Sequence, residues 1–365
     1  HIMGCQHIYI NAIYVYNQCW GSNDGIDIDG CTDVLVENSK FDTNDDCIPV
    51  KTHSTDICRD VLIRNCTMAS YERAVKVGNE SFGPLVNIRF ENITVIPSTF
   101  TLPIQPYNAM YIAIADGGSA DSIYFEHIRV NTPSQCAIFI RLCERDFQYD
   151  TTIPPPAPKY LRNVWINDVV AQSSTSIPCS VTGLPGYPVQ NIHFKNVAVT
   201  VPGGGTMSTG NLSEEATTRP EFNIWGDSLP AYGLFVWHAD GLMLDSFCVT
   251  ALSPDPRPLY YYEDSANINV VNACSLMPTA IADVNSDAML NIYPNPVNST
   301  LHVDGIPAQA EAIVLYDVTG HIVEQTPTMG LSSLPMNVSK LPGGVYFLQL
   351  LGKDCNINRK VLVAK

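Results

Sequence analysis

Short runs of alternating apolar and polar residues recur along this chain at a nearly fixed interval. Residues 31–41 read CTDVLVENSKF and residues 58–68 read CRDVLIRNCTM, 27 positions apart, with QHIYINAIYVY at 6–16 another 25 positions earlier. A second phase runs through GIDI (25–28), CIPV (47–50) and AVKV (74–77), at steps of 22 and 27. Further copies are NIRFENITV (87–95), SIYFEHIRV (122–130), LRNVWINDVVA (161–171) and NIHFKNVAV (191–199). Period-two alternation predicts strands, here of three to five residues, closed by Asn, Gly, Asp or Ser turns. One such unit cannot bury its apolar face alone, so repetition at this period predicts a solenoid with coils stacked about 4.8 Å apart. An antiparallel sandwich would not repeat a single strand–turn–strand phrase. The expected fold is all-β, a right-handed parallel β-helix, with the hand taken from the general chirality of parallel crossovers.

The repeat stretches near 100–110, 132–160 and 203–233, in segments rich in Pro, Gly, Thr and aromatic residues. These read as long loops thrown out from turns, where a solenoid builds its binding surface. The pattern breaks over 276–288, LMPTAIADVNSDA, which reads as a linker. From 289 to 365 a new set of strands begins with LNIYPNP, LHVDGI, AIVLYDVTG and GGVYFLQLLG, and a small β-sandwich is expected. The predicted organisation is therefore a β-helix over 1–275, a linker over 276–288 and a sandwich over 289–365.

Charge narrows the function. Only 15% of the 365 residues are charged, against about 25% in an average soluble protein. The net charge of −16 argues against nucleic acid, whose phosphates require clustered Lys and Arg. No apolar run approaches the roughly 18 residues of a membrane span. No signal peptide is visible, and β-patterned sequence begins by His7, so the natural N-terminus is expected to lie upstream. Of the twelve cysteines, Cys31, Cys47, Cys58 and Cys66 sit beside apolar alternation and suit buried thiols, although an extracellular route would also allow disulfides. The absence of a CxxC pair leaves no basis for a zinc cluster.

The candidate chemistry lies in residues 20–51. Asp24 precedes Asp45 and Asp46 by 21 and 22 positions, about one coil, which places the three acids on neighbouring rungs of one face. Their mutual repulsion should raise at least one pKa and keep a proton available at neutral pH. One protonated and one ionised carboxyl is what glycosidic cleavage needs.

SNDGIDIDGC followed by NDDCIPVKT resembles the paired motifs of glycoside hydrolase family 28, which includes polygalacturonases and rhamnogalacturonan hydrolases. Asn23-Asp24-Gly25, Asp45-Asp46-Cys47-Ile48 and Lys51 match in identity and spacing, and the resemblance extends over about residues 5–275. It implies an inverting hydrolase acting on pectin-like polysaccharide, with Asp45 as general acid and Asp24 and Asp46 holding and deprotonating the attacking water. It also implies substrate contacts from Asn23 and Lys51. The family's Gly-His-Gly phrase is replaced by YERAVKVG, with Arg73 at the His position, and its Arg-Ile-Lys phrase by MYIAIADGG. Arg73 and Lys76 are then candidates to grip an anionic sugar. Asp116 and Arg141 would face the same groove if register is kept. Trp20, Tyr71, Tyr107 and Tyr111 are candidates for stacking on sugar rings, and His53 is a weaker candidate.

The tail phrases YPNPVNSTLHV, VLYDVTGHIV and LPGGVYFLQL, with the ending KVLVAK, resemble the C-terminal sorting domain of the Bacteroidetes type IX secretion system. The resemblance implies secretion machinery as a partner and a secreted or cell-surface protein. It argues against glycans at the sequons of Asn65, Asn79, Asn92, Asn211, Asn298 and Asn337. A monomer without cofactor or metal is expected. The competing readings are a calcium-dependent polysaccharide lyase on the same scaffold and a non-catalytic surface adhesin.

Overall fold

The computed structural model describes the chain except for residues 20–21, 99–105, 148, 150–151, 155–158, 207–211, 213–219, 222, 226–228, 275–289, 308, 318–321, 353–354 and 365. All regular elements among the described residues are strands. The chain divides into two units, His1–Ser275 and Leu276–Lys365. The stretch read as a linker, 276–288, lies outside the described residues.

In the first unit, eighteen strands join one parallel sheet wound into coils. Register follows the repeat. Val34 pairs with Val61 and Val61 with Ile88, at the expected step of 27. The next partners are Ile123, Val164, Ile192, Leu242 and Ile268, so the longer steps of the middle coils leave the register intact. The first coil differs from the sequence reading by one position, because Ile8 pairs with Val34, a step of 26.

The strands are also longer than the alternation suggested. Cys58–Ser70 and Pro84–Val95 run unbroken through residues that read as turns. The reason is the backbone at two columns of positions. Asp33, Asp60, Asn87, Ser122, Asn163 and Asn191 form one, and Asn38, Asn65, Asn92, His127, Asp168 and Asn196 the other, all with φ between 52° and 62°. Single residues in this left-handed region bend a strand without ending it, and Asn and Asp tolerate the conformation best. Their side chains also bond between coils. The Asn92 amide donates to the Asn65 carbonyl oxygen at 2.7 Å, and Asn87 donates to Asp60 at 2.8 Å.

Between the bends, inward residues form apolar columns, including Val36, Ile63, Phe90, Phe125, Ile166, Phe194 and Leu244, all buried. Seven free thiols are buried among the described residues, Cys31, Cys47, Cys58 and Cys66 included. Cys248 and Cys274 form a disulfide across 26 positions. Closing a loop of that length restricts the unfolded chain, so replacing both cysteines with alanine should destabilise the helix by about 3 kcal/mol in urea titrations.

The second unit holds a three-stranded antiparallel sheet, Asn291–Tyr293, Thr300–Asp304 and Ser333–Asn337. Its partner is a four-stranded antiparallel sheet of Ile322–Pro327, Ala310–Tyr316, Gly344–Gly352 and Cys355–Val363. Leu301, Val303, Ile313, Leu315, Met336 and Leu348 build a core separate from that of the coils.

Candidate active site

Asp24 lies ahead of the strand Ile28–Asp29, and Asp45 and Asp46 lie ahead of Ile48–Thr52, which pairs with it in parallel. The two approach segments are zipped together: Gly25 N–H donates to the Asp46 carbonyl at 2.9 Å and Ile26 N–H to that of Cys47 at 3.1 Å. Only glycine fits at position 25, because a Cβ would lie 2.4 Å from the Cys47 carbonyl oxygen. The second segment is fixed from its other side by the hydroxyls of Thr43 and Ser70, each donating to the Asp45 carbonyl at 2.7 Å. Thus the fold, rather than the acids themselves, brings like charges together. Asp24, Asp45 and Asp46 each offer a carboxylate oxygen within 4.8 Å of the others. Asp46 N–H donates to Asp24 Oδ1 at 3.1 Å and to Asp45 Oδ1 at 2.9 Å.

Basic side chains from neighbouring rungs answer this charge. Lys76 Nζ is hydrogen-bonded to Asp46 Oδ2, and Arg73 Nη1 stands 3.8 Å from Asp46 Oδ1. Lys51 Nζ lies 2.7 Å from Asp27 and 3.4 Å from Asp24. Arg73 also pairs with Glu72 at 2.8 Å and sits over the Tyr111 ring. Burial pushes Asp24 up to about 8, helped by its hydrogen bond to Asp27 and by the charge of Asp46. Burial, then the charge of Asp46, also raises Asp45. Burial opposes ionisation of Asp27 too, but its bonds to Asp24 and Lys51 prevail and hold it low. The pocket therefore combines carboxyls whose pKa is raised with carboxylates that are ion-paired, the kind of contrast that acid–base chemistry uses.

Other candidate residues fall elsewhere. Asn23 donates from its amide to the Cys19 carbonyl at 2.7 Å, bracing the approach to Asp24. Asp116 is buried and fully engaged by Arg145, at 2.9 and 2.6 Å, and by Tyr149 at 2.8 Å. Arg141 is buried with its guanidinium against the Trp225 ring. Tyr111 is also buried, its hydroxyl bonded to Asn79 and to the Pro220 carbonyl, so it supports the pocket and offers no face to a sugar. Tyr71 and Tyr107 remain partly exposed, with rings 5.1 Å apart, and Trp20 lies outside the described residues. A groove of about 420 Å³ opens on another strand stack, lined by Arg89, Tyr124, Trp165 and His193, away from the three acids. There the Arg89 guanidinium, Tyr124, Trp165 and His193 stack in one pile, so the faces of Tyr124 and Trp165 are covered.

Two acids of the pocket were not singled out from sequence. Asp27 was hidden in the alternation of GIDIDG, where an outward acid looks like ordinary surface. Glu72, raised to about 7 chiefly by burial, was hidden beside Arg73.

Residues 1–218 match the model of glycosyl hydrolases family 28, and the chain belongs to that family. Over that stretch the described residues form the parallel β-helix. A protein described as a probable polygalacturonase, from Vitis vinifera, is 24% identical over 208 residues, which is 54% of this chain and 40% of that protein. The chain thus spans about two fifths of the length of that relative. Residues 291–364 match the secretion system C-terminal sorting domain. The tail indicates type IX secretion, and with it a secreted or cell-surface bacterial protein.

Proposed function

We propose that this chain hydrolyses glycosidic bonds of a pectin-like polysaccharide with inversion, Asp45 protonating the leaving oxygen and Asp46, with Asp24, activating water. The observation carrying this reading is the convergence of three carboxyls from adjacent rungs, two of them raised and the third paired with Lys76. A water bonded to two carboxylate oxygens at ~2.8 Å spans about 4.5 Å between them, which suits this cluster. The gap is tighter than the roughly 6.5–9.5 Å between carboxyls of most inverting glycosidases. Asp24 holds its proton toward Asp27, so Asp46 takes the proton from water while Asp24 orients it. Lys51, Arg73 and Lys76 already pair with acids of the pocket, and in this reading they set its charge as well as meeting the substrate. Asn23 holds the loop and borders the sugar. The protein acts as a monomer, delivered by its tail to the outer surface of the cell.

Reducing-end release from a panel of pectic polymers, followed by proton NMR of the first anomer formed, tests the assignment. Inversion is expected; a product that keeps the substrate's anomeric configuration overturns the water-activation scheme. Unsaturated products absorbing in the ultraviolet would indicate a lyase instead. The pH profile has a definite sign. A general acid works only below its pKa, so the raised Asp45 extends activity to higher pH than an ordinary aspartic acid near 3.8 would permit. Activity confined below pH 4 would contradict it.

Asp24 also makes a stability prediction. Its pKa is higher in the fold than in the unfolded chain, so the fold is favoured at low pH and loses that contribution as pH rises from about 4 towards 8. Asp24→Asn should therefore raise Tm by a few degrees at pH 9 and leave it nearly unchanged at pH 4, as thermal melts would show.

A further inference from the structure

We propose that His1, Asp29 and His53 form a binding site for a zinc-like divalent transition-metal ion, separate from the three catalytic acids. The residues come from three successive coils. His1 precedes Ile2–Met3, Asp29 ends Ile28–Asp29, and His53 follows Ile48–Thr52. These strands stack in register, with Met3 beside Asp29 and Asp29 beside Lys51. His1 Nε2 and His53 Nδ1 converge on the same oxygen, Asp29 Oδ2, at 2.8 and 2.7 Å. Ligands about 2.0–2.2 Å from a shared tetrahedral metal lie about 3.4 Å apart. The observed separations need to open by roughly 0.6–0.7 Å to admit an ion, within reach of side-chain rotation.

Burial supplies the electrostatic argument. Asp29 is 1% exposed, and among the described residues no Lys or Arg pairs with it. A buried carboxylate requires a compensating charge, and a cation between the three groups provides it. The outer contacts have the form that metal sites use, where a ligating His directs its second ring nitrogen at a carboxylate and the ligating carboxylate is itself hydrogen-bonded. His1 Nδ1 faces Asp27 Oδ2 at 3.5 Å, and Asp29 Oδ1 accepts the backbone N–H of His53 at 3.0 Å. The edge-on contact of His53 with Tyr149, 4.6 Å between centroids, restrains the ring. Two imidazoles with one carboxylate suit zinc, copper or nickel better than calcium or magnesium, which take oxygen. The half-exposed side chains of His1 and His53 leave room for water at the remaining positions. The Asp24, Asp45 and Asp46 cluster differs, because Lys51 and Lys76 already stand where a cation would.

The test is calorimetric titration of zinc into the full chain after alkylation of the accessible thiols under native conditions, since Cys5 and Cys19 are exposed. One equivalent should bind, with affinity reduced at least 10-fold in His53→Gln and in His1→Gln and unchanged in Asp45→Asn. Zinc should raise Tm of the parent chain and not that of His53→Gln. Both histidines are exposed enough for these variants to fold, so the outcome does not depend on Asp29→Asn. Equal binding by parent and His53→Gln overturns the proposal, as does a site lost in Asp45→Asn. Calcium binding abolished by His53→Gln with an affinity matching that of zinc would overturn the choice of metal class.

Discussion

Asp45→Asn should lower reducing-end release from polymer by about 10²–10⁴-fold, the usual contribution of a positioned general acid. Asparagine preserves the shape of the side chain and its acceptance of the Asp46 N–H, so the fold of the segment 43–47 should survive. What it removes is an ionisable carboxyl whose pKa burial and the charge of Asp46 raise. The loss should depend on the leaving group: an aryl glycoside whose phenolate departs unaided should retain most of its rate. Asp46→Asn should behave differently and lose both substrates alike, because water activation is needed whatever departs. Kinetics on a polymer and an activated aryl glycoside separate the two roles. Equal loss on both substrates in Asp45→Asn would remove Asp45 as the acid, and the raised Asp24 would become the donor to examine next.

Lys76→Met is the second large effect. Lys76 is 4% exposed and bonded to Asp46, which is itself buried. Methionine approximates the stem and deletes the charge, leaving Asp46 with Arg73 Nη1 at 3.8 Å as its nearest cation. Breaking one side of a buried ion pair costs about 3–5 kcal/mol, much of it the penalty of the stranded partner. The same deletion takes away the cation that holds Asp46 in place as the base of the proposed mechanism. The variant should therefore unfold at lower urea concentration and lose at least about 10²-fold in polymer hydrolysis, the lower bound for a positioned base. Lys76→Arg, which keeps the charge, should recover most of the stability. A Lys76→Met variant with parental activity would show that Asp46 does not need its cation and would count against its role as base.

Much of this was legible from spacing. The interval from Asp24 to Asp45 and Asp46 is one coil, and stacking coils turns such an interval into proximity, as the Ile28–Val50 pairing does here. The apolar columns were legible for the same reason. Other features depend on geometry that period counting does not carry. Asp27 reads as a surface residue until Lys51 is found 2.7 Å away. Tyr111 reads as a sugar platform until the carbonyl of Pro220, more than a hundred positions on, closes over it. Pairing of Cys248 with Cys274 could not be chosen among twelve cysteines without the last coil's register. Turn residues inside the strands were misread because an Asn with positive φ bends a chain that continues pairing.

The two columns of left-handed residues have a practical consequence. Each strand of the stack that carries them keeps the same offset between its two bends, and the long excursions leave the coil elsewhere, between Val95 and Asn108, Leu142 and Tyr160, and Val201 and Leu234. Those three junctions behave as sockets: chain of very different length plugs into them while Ile88, Ile123, Val164, Ile192 and Leu242 stay aligned. Loops exchanged at these points should therefore leave undisturbed the rungs on which Asp24, Asp45 and Asp46 are mounted.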